Sequence, residues 1–201
     1  MNRVYYAIKR GKVNRFTTQI GSISLFGLFG SRAAANEVAM GLYEKVVVQA
    51  RQPQFYTAHG VPDTPDGRYD MIMLHAFLLL HRLKLDHGET EDTAQAFFDL
   101  MFEDMDKNLR EMGAGDVGIG RRIKDMAKAF YGRIAAYEEG LNADDDTLET
   151  ALRRNIYRNE APTAEQVAHL ALYMRREAAS LKTQSTAALL QADLSFGNPE
   201  P

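Results

Sequence analysis

The stretch that decides the fold class is residues 70–86, "DMIMLHAFLLLHRLKLD". Its first half, Met71 to Leu80, is apolar around nearly the whole circumference of a helix, which is typical of the buried centre of a helical bundle. Asp70 is predicted to cap the N-terminus of this helix, which should continue to about Asp86. His75, Arg82 and Asp86 fall close together on one face, at offsets of 7 and 11 residues.

On both sides of this stretch apolar residues recur at helical spacing, whereas strict alternation over the length of a strand is hard to find. We therefore predict an all-α protein, a single-domain bundle of about six helices with its buried central helix near residues 70–86. Ser31 is a candidate N-cap for the first helix, and Thr163 with Gln166 predicts a capping box for the last. The five further helices are expected at about 31–51, 91–112, 118–139, 144–159 and 163–182.

Composition limits the function classes and suggests three parts of the chain. The 201 residues include no cysteine, which excludes disulfides and thiolate chemistry and fits a cytoplasmic protein. The net charge of −3 gives the whole molecule no attraction to nucleic acid, so DNA is not an expected partner. We expect residues 1–30 to form an N-terminal arm, 31–192 the helical domain and 193–201 a frayed C-terminal tail.

The N-terminal arm is basic and partly apolar. Six lysine and arginine residues precede Glu37, the first acidic residue of the chain, and Tyr5, Phe26 and Phe29 are among the apolar ones. That combination suits an anionic membrane surface or the surface of the ribosome. A tail that binds nothing is an equal alternative. No run of apolar residues approaches the roughly 20 that a membrane-spanning helix needs.

Residues 113–120, "GAGDVGIG", spell G-x-G-x-x-G, the fingerprint of a dinucleotide-binding turn. That turn needs a strand before its first glycine, inside a βαβ unit. Here a predicted helix precedes Gly113. We therefore expect the glycines to join two antiparallel helices, with Gly113 as the residue just after the first of them.

Acidic residues and histidines are the candidate metal ligands of the sequence. Asp145, Asp146 and Glu149 in "DDTLE" resemble the aspartate-rich motif of all-α prenyl-transfer enzymes, so a small Mg-dependent enzyme that binds an isoprenoid diphosphate is the alternative function. Acids in the first turn of a helix are more commonly partners of its dipole, which favours a structural role. The five histidines never fall at i, i+4, and we expect no metal site, no cofactor and no catalytic residue. His75 is expected to be a hydrogen-bonded core histidine.

Four segments in sequence order carry a resemblance to a known family. They are "QPQFYTAHGVPDTPDGRYDMIMLHAFLLLHRLK", "FEDMDKNLREMG", "FYGRIAAYEEGL" and "DDDTLETALRRNIY". Together they resemble the ubiquinol–cytochrome c chaperone family, over roughly residues 50–182. The resemblance implies an all-α protein that is not an enzyme. It would bind newly made, haem-free cytochrome b and support the biogenesis of the cytochrome bc1 complex, respiratory complex III.

The resemblance also suggests site residues, and Arg121 and Arg122 are added to them as basic residues that can meet client loops or lipid phosphates. Those expected to contact the client lie on the third and fourth predicted helices and are Glu103, Asp104, Arg110, Met112, Arg121, Arg122 and Tyr131. Those expected to support the structure are Pro62, Asp63, Thr64, His75, Arg82, Gly113, Tyr137 and Gly140. For Arg110 the alternative is an intrahelical pair with Asp106, four residues earlier.

Overall fold

The computed structural model describes residues 25–111, 116–158 and 160–200, with side chains described from residue 32 onward except at 116 and 117. The elements in chain order are α1 Leu25–Ala50, α2 Gln54–Thr57, α3 Pro65–Leu83, a 3-10 turn Lys84–Asp86, α4 His87–Glu111, α5 Asp116–Asn142, α6 Thr147–Leu152, a π-helical segment Arg153–Tyr157, α7 Ala164–Thr183 and α8 Thr186–Leu189. Throughout these ranges the chain forms helices and loops and no strand, so the prediction of an all-α bundle is confirmed.

The core is built around α3, as the sequence predicts. α1 packs against α4 and α3, α3 packs against α7, and α5 lies between α4 and α6. Side chains on every face of α3 are buried, among them Met71, Leu74 and Leu78. This all-round burial is what a helix without a polar face requires.

The start of α3 differs from the prediction. Its N-cap is Thr64, whose Oγ1 accepts a hydrogen bond of 3.1 Å from the Gly67 amide, and Pro65 occupies the first helical turn. Asp70 instead lies inside the helix with only 1% of its surface exposed. Aspartate is a common N-cap residue, which is why the sequence indicates Asp70. Thr64 followed by Pro65 is the stronger signal for the start of a helix.

Other helix ends agree in part with the sequence. The capping box of Thr163 and Gln166 is present in both directions, as predicted. Ser31 is not an N-cap, because α1 already includes Leu25. The predicted fifth helix is divided into α6 and the π-helical segment. The residue that follows this segment, Arg158, has a φ of 48°.

The C-terminal residues, for which the sequence predicts fraying, contact the core. Leu194 is buried and the chain beyond it lies across α1 and α7. Polar and glycine-rich tails usually fray because they bury little, but this one is fixed by side chains reaching its backbone. Within the described ranges no helix combines the length and the apolar character needed to span a membrane.

Candidate functional site

The predicted contact residues lie on α4 and α5, which form an antiparallel pair. Aromatic rings hold the pair together, since Phe98 stacks on Tyr131 with ring centres 5.8 Å apart and planes 10° apart. Phe102 meets Phe130 edge-on at 6.3 Å. Tyr131 is only half-buried, and burial raises the pKa of its hydroxyl to about 12. We call the outer side of this pair the α4–α5 surface. It carries Glu103, Arg110, Arg121, Arg122 and Tyr131.

Asp104 does not belong to that surface. It accepts a hydrogen bond of 2.8 Å from the Tyr43 hydroxyl, and this bond joins α4 to α1. Burial is the largest cause that raises the pKa of Tyr43, and the Asp104 carboxylate adds to it. The sequence places Asp104 next to Glu103, but only the structure shows that the two neighbours face different partners.

The charged residues of the α4–α5 surface are solvated. Glu103, Arg110, Arg121 and Arg122 are all exposed. Arg110 pairs with Asp106 through Nε and Oδ2 at 2.6 Å, the intrahelical pair that the spacing predicts. Met112 and Gly113 fall outside the described residues. The helices on either side, ending at Glu111 and beginning at Asp116, fit a joint between helices and not a strand followed by a phosphate loop.

Three of the residues expected to support the structure, Pro62, Asp63 and Thr64, form the turn before α3. The carbonyl of Pro62 accepts a hydrogen bond of 2.9 Å from the Thr64 amide. Asp63 pairs with Arg68 at 2.6 Å on the surface, and the pKa of its carboxyl is lowered by that hydrogen bond. These contacts orient the chain as it enters the buried helix.

Arg82 secures the far end of α3. Its guanidinium donates to the carbonyls of Leu181 at 2.9 Å and Gln184 at 2.8 Å, at the C-terminal end of α7. It also pairs with Asp86 at 2.7 Å and donates to the Thr186 hydroxyl at 3.2 Å. Carbonyls at a helix end lack intrahelical partners, so a nearly buried arginine serves as their cap.

Tyr137 and Gly140 shape the contact of α5 with its neighbours. The Tyr137 ring is buried and meets Phe77 edge-on at 5.3 Å. Gly140 is buried where α5 meets α6, and a Cβ there would lie 2.6 Å from the Cα of Leu148. Only glycine permits so close an approach of the two backbones.

His75 is fully buried and hydrogen-bonded at both ring nitrogens. Nδ1 lies 2.8 Å from the Met71 carbonyl, which can only accept, so Nδ1 carries the hydrogen. Nε2 therefore accepts from the Tyr173 hydroxyl at 2.8 Å, and that hydroxyl in turn accepts from Gln49 Nε2 at 2.9 Å. Burial lowers the pKa of His75 to about 4, which keeps the ring neutral. The contacts are those of a core histidine.

A second buried polar group was not anticipated. The Asp70 carboxylate lies 2.6 Å from Arg133 of α5 and 2.6 Å from Arg158, after the π-helical segment. Burial raises the pKa of Asp70, and the two guanidiniums oppose that effect. The sequence signal was available, since Arg133 falls between Phe130 and Tyr137 on the inner stripe of its helix.

The acidic cluster of the alternative function does not form a metal site. Asp145 and Asp146 are exposed, and Asp145 Oδ1 accepts a hydrogen bond of 3.0 Å from the Thr147 amide at the start of α6. The pKa of Asp145 is lowered first by a hydrogen bond with the Thr147 side chain and then by this bond from the Thr147 amide. Among the described residues no group of three or more histidine, aspartate or glutamate side chains is arranged to hold a metal ion.

Comparison with known proteins identifies relatives. Residues 57–196 match the family described as "Ubiquinol-cytochrome C chaperone". The chain is 26% identical over 145 residues to ubiquinol-cytochrome-c reductase complex assembly factor 1 of Xenopus laevis, covering 72% of each protein. It is 28% identical over 119 residues to the mitochondrial protein CBP3 of Saccharomyces cerevisiae, covering 57% of this chain and 35% of that protein.

The chain spans a little over half of the mammalian relatives, 57% of the mouse protein and 56% of the human one. Among solved structures it is similar to the crystal structure of the Cbp3 homolog from Brucella abortus, with a TM-score of 0.77 and 39% identity. That similarity covers 87% of this chain and 97% of the other. The family match over residues 57–196 spans α3 to α8 and includes all the residues that were expected to support the structure. The chain belongs to the ubiquinol-cytochrome c chaperone family.

Proposed function

We propose that this protein is an assembly chaperone for the cytochrome bc1 complex. The observation that carries the proposal is the family match over residues 57–196, together with relatives named as assembly factors of ubiquinol-cytochrome c reductase. The structure is compatible with this role, because both ring nitrogens of His75 and the Asp70 carboxylate bind other groups of the chain. These contacts connect helices.

We propose further that the client is newly made, haem-free cytochrome b, bound on the α4–α5 surface. Support comes from the half-buried ring of Tyr131 stacked on Phe98, which offers apolar area beside exposed charges. A chaperone for a membrane protein needs apolar contact area on a surface that stays hydrated when empty. Arg121 and Arg122 supply that hydration and can meet acidic loops of a client or lipid phosphates.

The test is deletion of the gene in its host, followed by site-directed crosslinking. Deletion should lower assembled cytochrome bc1 complex by lowering cytochrome b, because a client without its binder is lost to aggregation and proteolysis. Crosslinkers placed at Glu103 or Arg121 should capture cytochrome b, whereas crosslinkers at Leu172 or Ala179, exposed on α7, serve as controls. Normal complex levels in the deletion strain and no cytochrome b among the crosslinked products would overturn the proposal.

We also propose that the protein catalyses no reaction. Support comes from Asp145, whose carboxylate is used at a helix start and not in a cluster of ligands. Isothermal titration with magnesium plus an isoprenoid diphosphate should give no saturable heat. Micromolar binding that Asp145→Ala abolishes would favour the enzyme instead.

The N-terminal arm is proposed to attach the chaperone to the inner-membrane surface or to the ribosome. Residues 1–24 lie outside the described part of the chain, whereas 25–30 belong to α1. A truncated chain for the test should therefore begin at Leu25. Flotation with anionic liposomes should carry the full chain more strongly than the truncated one. Equal flotation would remove membrane attachment from the function of the arm.

A further inference from the structure

The C-terminal residues 194–199, here called the strap, form no helix and run across the molecule from Gln184, at the end of α7, to His59 in the loop before α3. They follow α8 and Ala192, which has a φ of 56°, and they lie between the C-terminal half of α1 and the middle of α7. Leu194 is buried, and the ring of Phe196 meets His75 edge-on with centres 5.3 Å apart. The strap thus covers the polar network of α3 and α7.

The strap is held through its backbone by side chains of the helical domain. The Gly197 amide donates to Glu177 Oε2 at 2.7 Å, and the Gly197 carbonyl accepts from Gln49 Nε2 at 2.8 Å. The Asn198 carbonyl accepts from Arg176, and the Pro199 carbonyl contacts the His59 ring. Recognition of backbone groups by fixed side chains is how a site accepts an extended peptide with little regard to its sequence.

Two positions of the strap are nevertheless selective. The place of Phe196 against His75 suits a flat ring. At Gly197 a Cβ would lie 2.6 Å from Glu177 Oε1, so a larger residue would push this buried carboxylate away from its bonds to the Gly197 amide and Arg176. The surface beneath the strap, here called the seat, therefore favours an extended segment in which an aromatic residue precedes glycine.

The seat is unusually polar for a surface that is covered. Of the nine buried polar or charged residues in the described part of the chain, four line or underlie the strap: Gln49, His59, His75 and Glu177. A permanently covered interface gains most from apolar side chains, because buried polar groups need a partner for each donor and acceptor. When the strap leaves, water can replace its bonds to Gln49, His59 and Glu177, which lowers the cost of opening.

We propose that the seat of the strap is a peptide-binding groove, that the strap is its resting occupant, and that an extended segment of an unassembled client displaces it. The segment would carry an aromatic residue followed by glycine. The identity of the occupant as a client rests on the proposed chaperone function. The groove itself rests on the contacts of the strap alone.

The test uses a fluorescent peptide with the sequence of residues 192–201, ADLSFGNPEP, and the full-length chain. In the unmodified chain the strap competes at high effective concentration, so the peptide should bind weakly. Gly197→Ala in the chain should release the strap and tighten peptide binding by at least about tenfold. The same glycine-to-alanine change made in the peptide should abolish binding to that variant. Equal affinity of the two chains for the peptide would overturn the proposal.

A second variant distinguishes release of the strap from a loss of folding. Phe196→Ala should release the strap while leaving the groove intact, and circular dichroism checks that both variants remain helical. If both variants unfold, the strap is a permanent part of the fold and the proposal fails.

The chain has no cysteine, so the strap can also be locked with Gln184→Cys and Ser195→Cys, joined by a short bis-maleimide. The locked chain should bind no peptide. Binding unchanged by the lock would also overturn the proposal. Because no client is present, these results test the groove independently of the chaperone function.

Discussion

The buried polar groups of α3 fall into two networks of different kinds. Near its N-terminal end Asp70 is ionically paired with Arg133 and Arg158. One and a half turns later His75 joins a neutral chain of hydrogen bonds through Tyr173 to Gln49. The first network joins α3 to α5 and the π-helical segment, and the second joins it to α7 and α1.

This difference predicts in which of the two networks the loss of one side chain lowers the stability of the fold most. A buried charge that loses its counterion costs about 3–5 kcal/mol, whereas a neutral buried group that loses its hydrogen bond costs about 1–3 kcal/mol. The ionic network therefore depends on each of its buried members. The neutral network should lose less stability when a hydroxyl is removed. Its contribution to stability should depend on pH through His75.

The largest effect is expected from Arg133→Met. It leaves the buried Asp70 carboxylate with Arg158 alone, and the free energy of unfolding in urea should fall by about 3–5 kcal/mol. Arg158→Met is the matched control, because the Arg158 side chain is 42% exposed and water can replace it. The control should lose about 1 kcal/mol or less. An equal loss in the two variants would contradict the assignment of the buried charge to Arg133.

The next effect concerns pH. The pKa of His75 is lowered from 6.5 to about 4 in the folded protein, so between these values the unfolded chain binds more protons. The stabilisation is complete above pH 6.5 and is lost as the pH falls toward 4, by about 3 kcal/mol. His75→Gln should flatten this part of the stability profile, measured by urea unfolding at several pH values.

A smaller loss is expected from Tyr173→Phe. The substitution leaves His75 Nε2 without its donor, while Gln49 Nε2 keeps the Gly197 carbonyl. The free energy of unfolding should fall by about 1–3 kcal/mol. Tyr56→Phe removes a hydroxyl that donates to the Ala50 carbonyl near the surface and should cost less. A Tyr173→Phe loss as large as that of Arg133→Met would remove the distinction between the two networks.

The smallest effect on stability is expected from Arg110→Glu on the α4–α5 surface. Loss of the pair with Asp106 and the like charge placed there should each cost about 0.2–0.5 kcal/mol, so together only about 0.4–1 kcal/mol. If Arg110 faces the client, crosslinked cytochrome b should nevertheless fall while helicity is kept. Lys182→Glu, at an exposed position on α7, is the control. Undiminished crosslinking would exclude Arg110 from the contact surface.

Periodicity was sufficient for the helices but not for their polar contacts. The all-α bundle and the burial of α3 follow from apolar spacing, and the Thr163 cap follows from its motif. By contrast, Asp70 and Arg133 lie 63 positions apart, and nothing local shows that they meet. The order of residues 194–200 was missed for a similar reason, since the side chains that hold this tail come from α1, α7 and the loop before α3.

Glu177 illustrates what the sequence could have shown. It stands between Met174 and Leu181 at spacings of three and four residues, within the apolar stripe of α7. A carboxylate there signals a buried partner, but not which one. The contacts expected on the α4–α5 surface rest on the family resemblance and on the exposed arginines Arg121 and Arg122, and they stay predictions.

The four-way contact of Arg82 has a consequence for the order in which the molecule forms during synthesis. Three of its acceptors belong to residues 181, 184 and 186, about a hundred positions after the arginine. At the usual 5–20 residues per second, translation of that interval takes roughly 5–20 seconds. During this time the central helix exists without the elements that complete it. Folding of the core is therefore expected to finish late, when α7 becomes available.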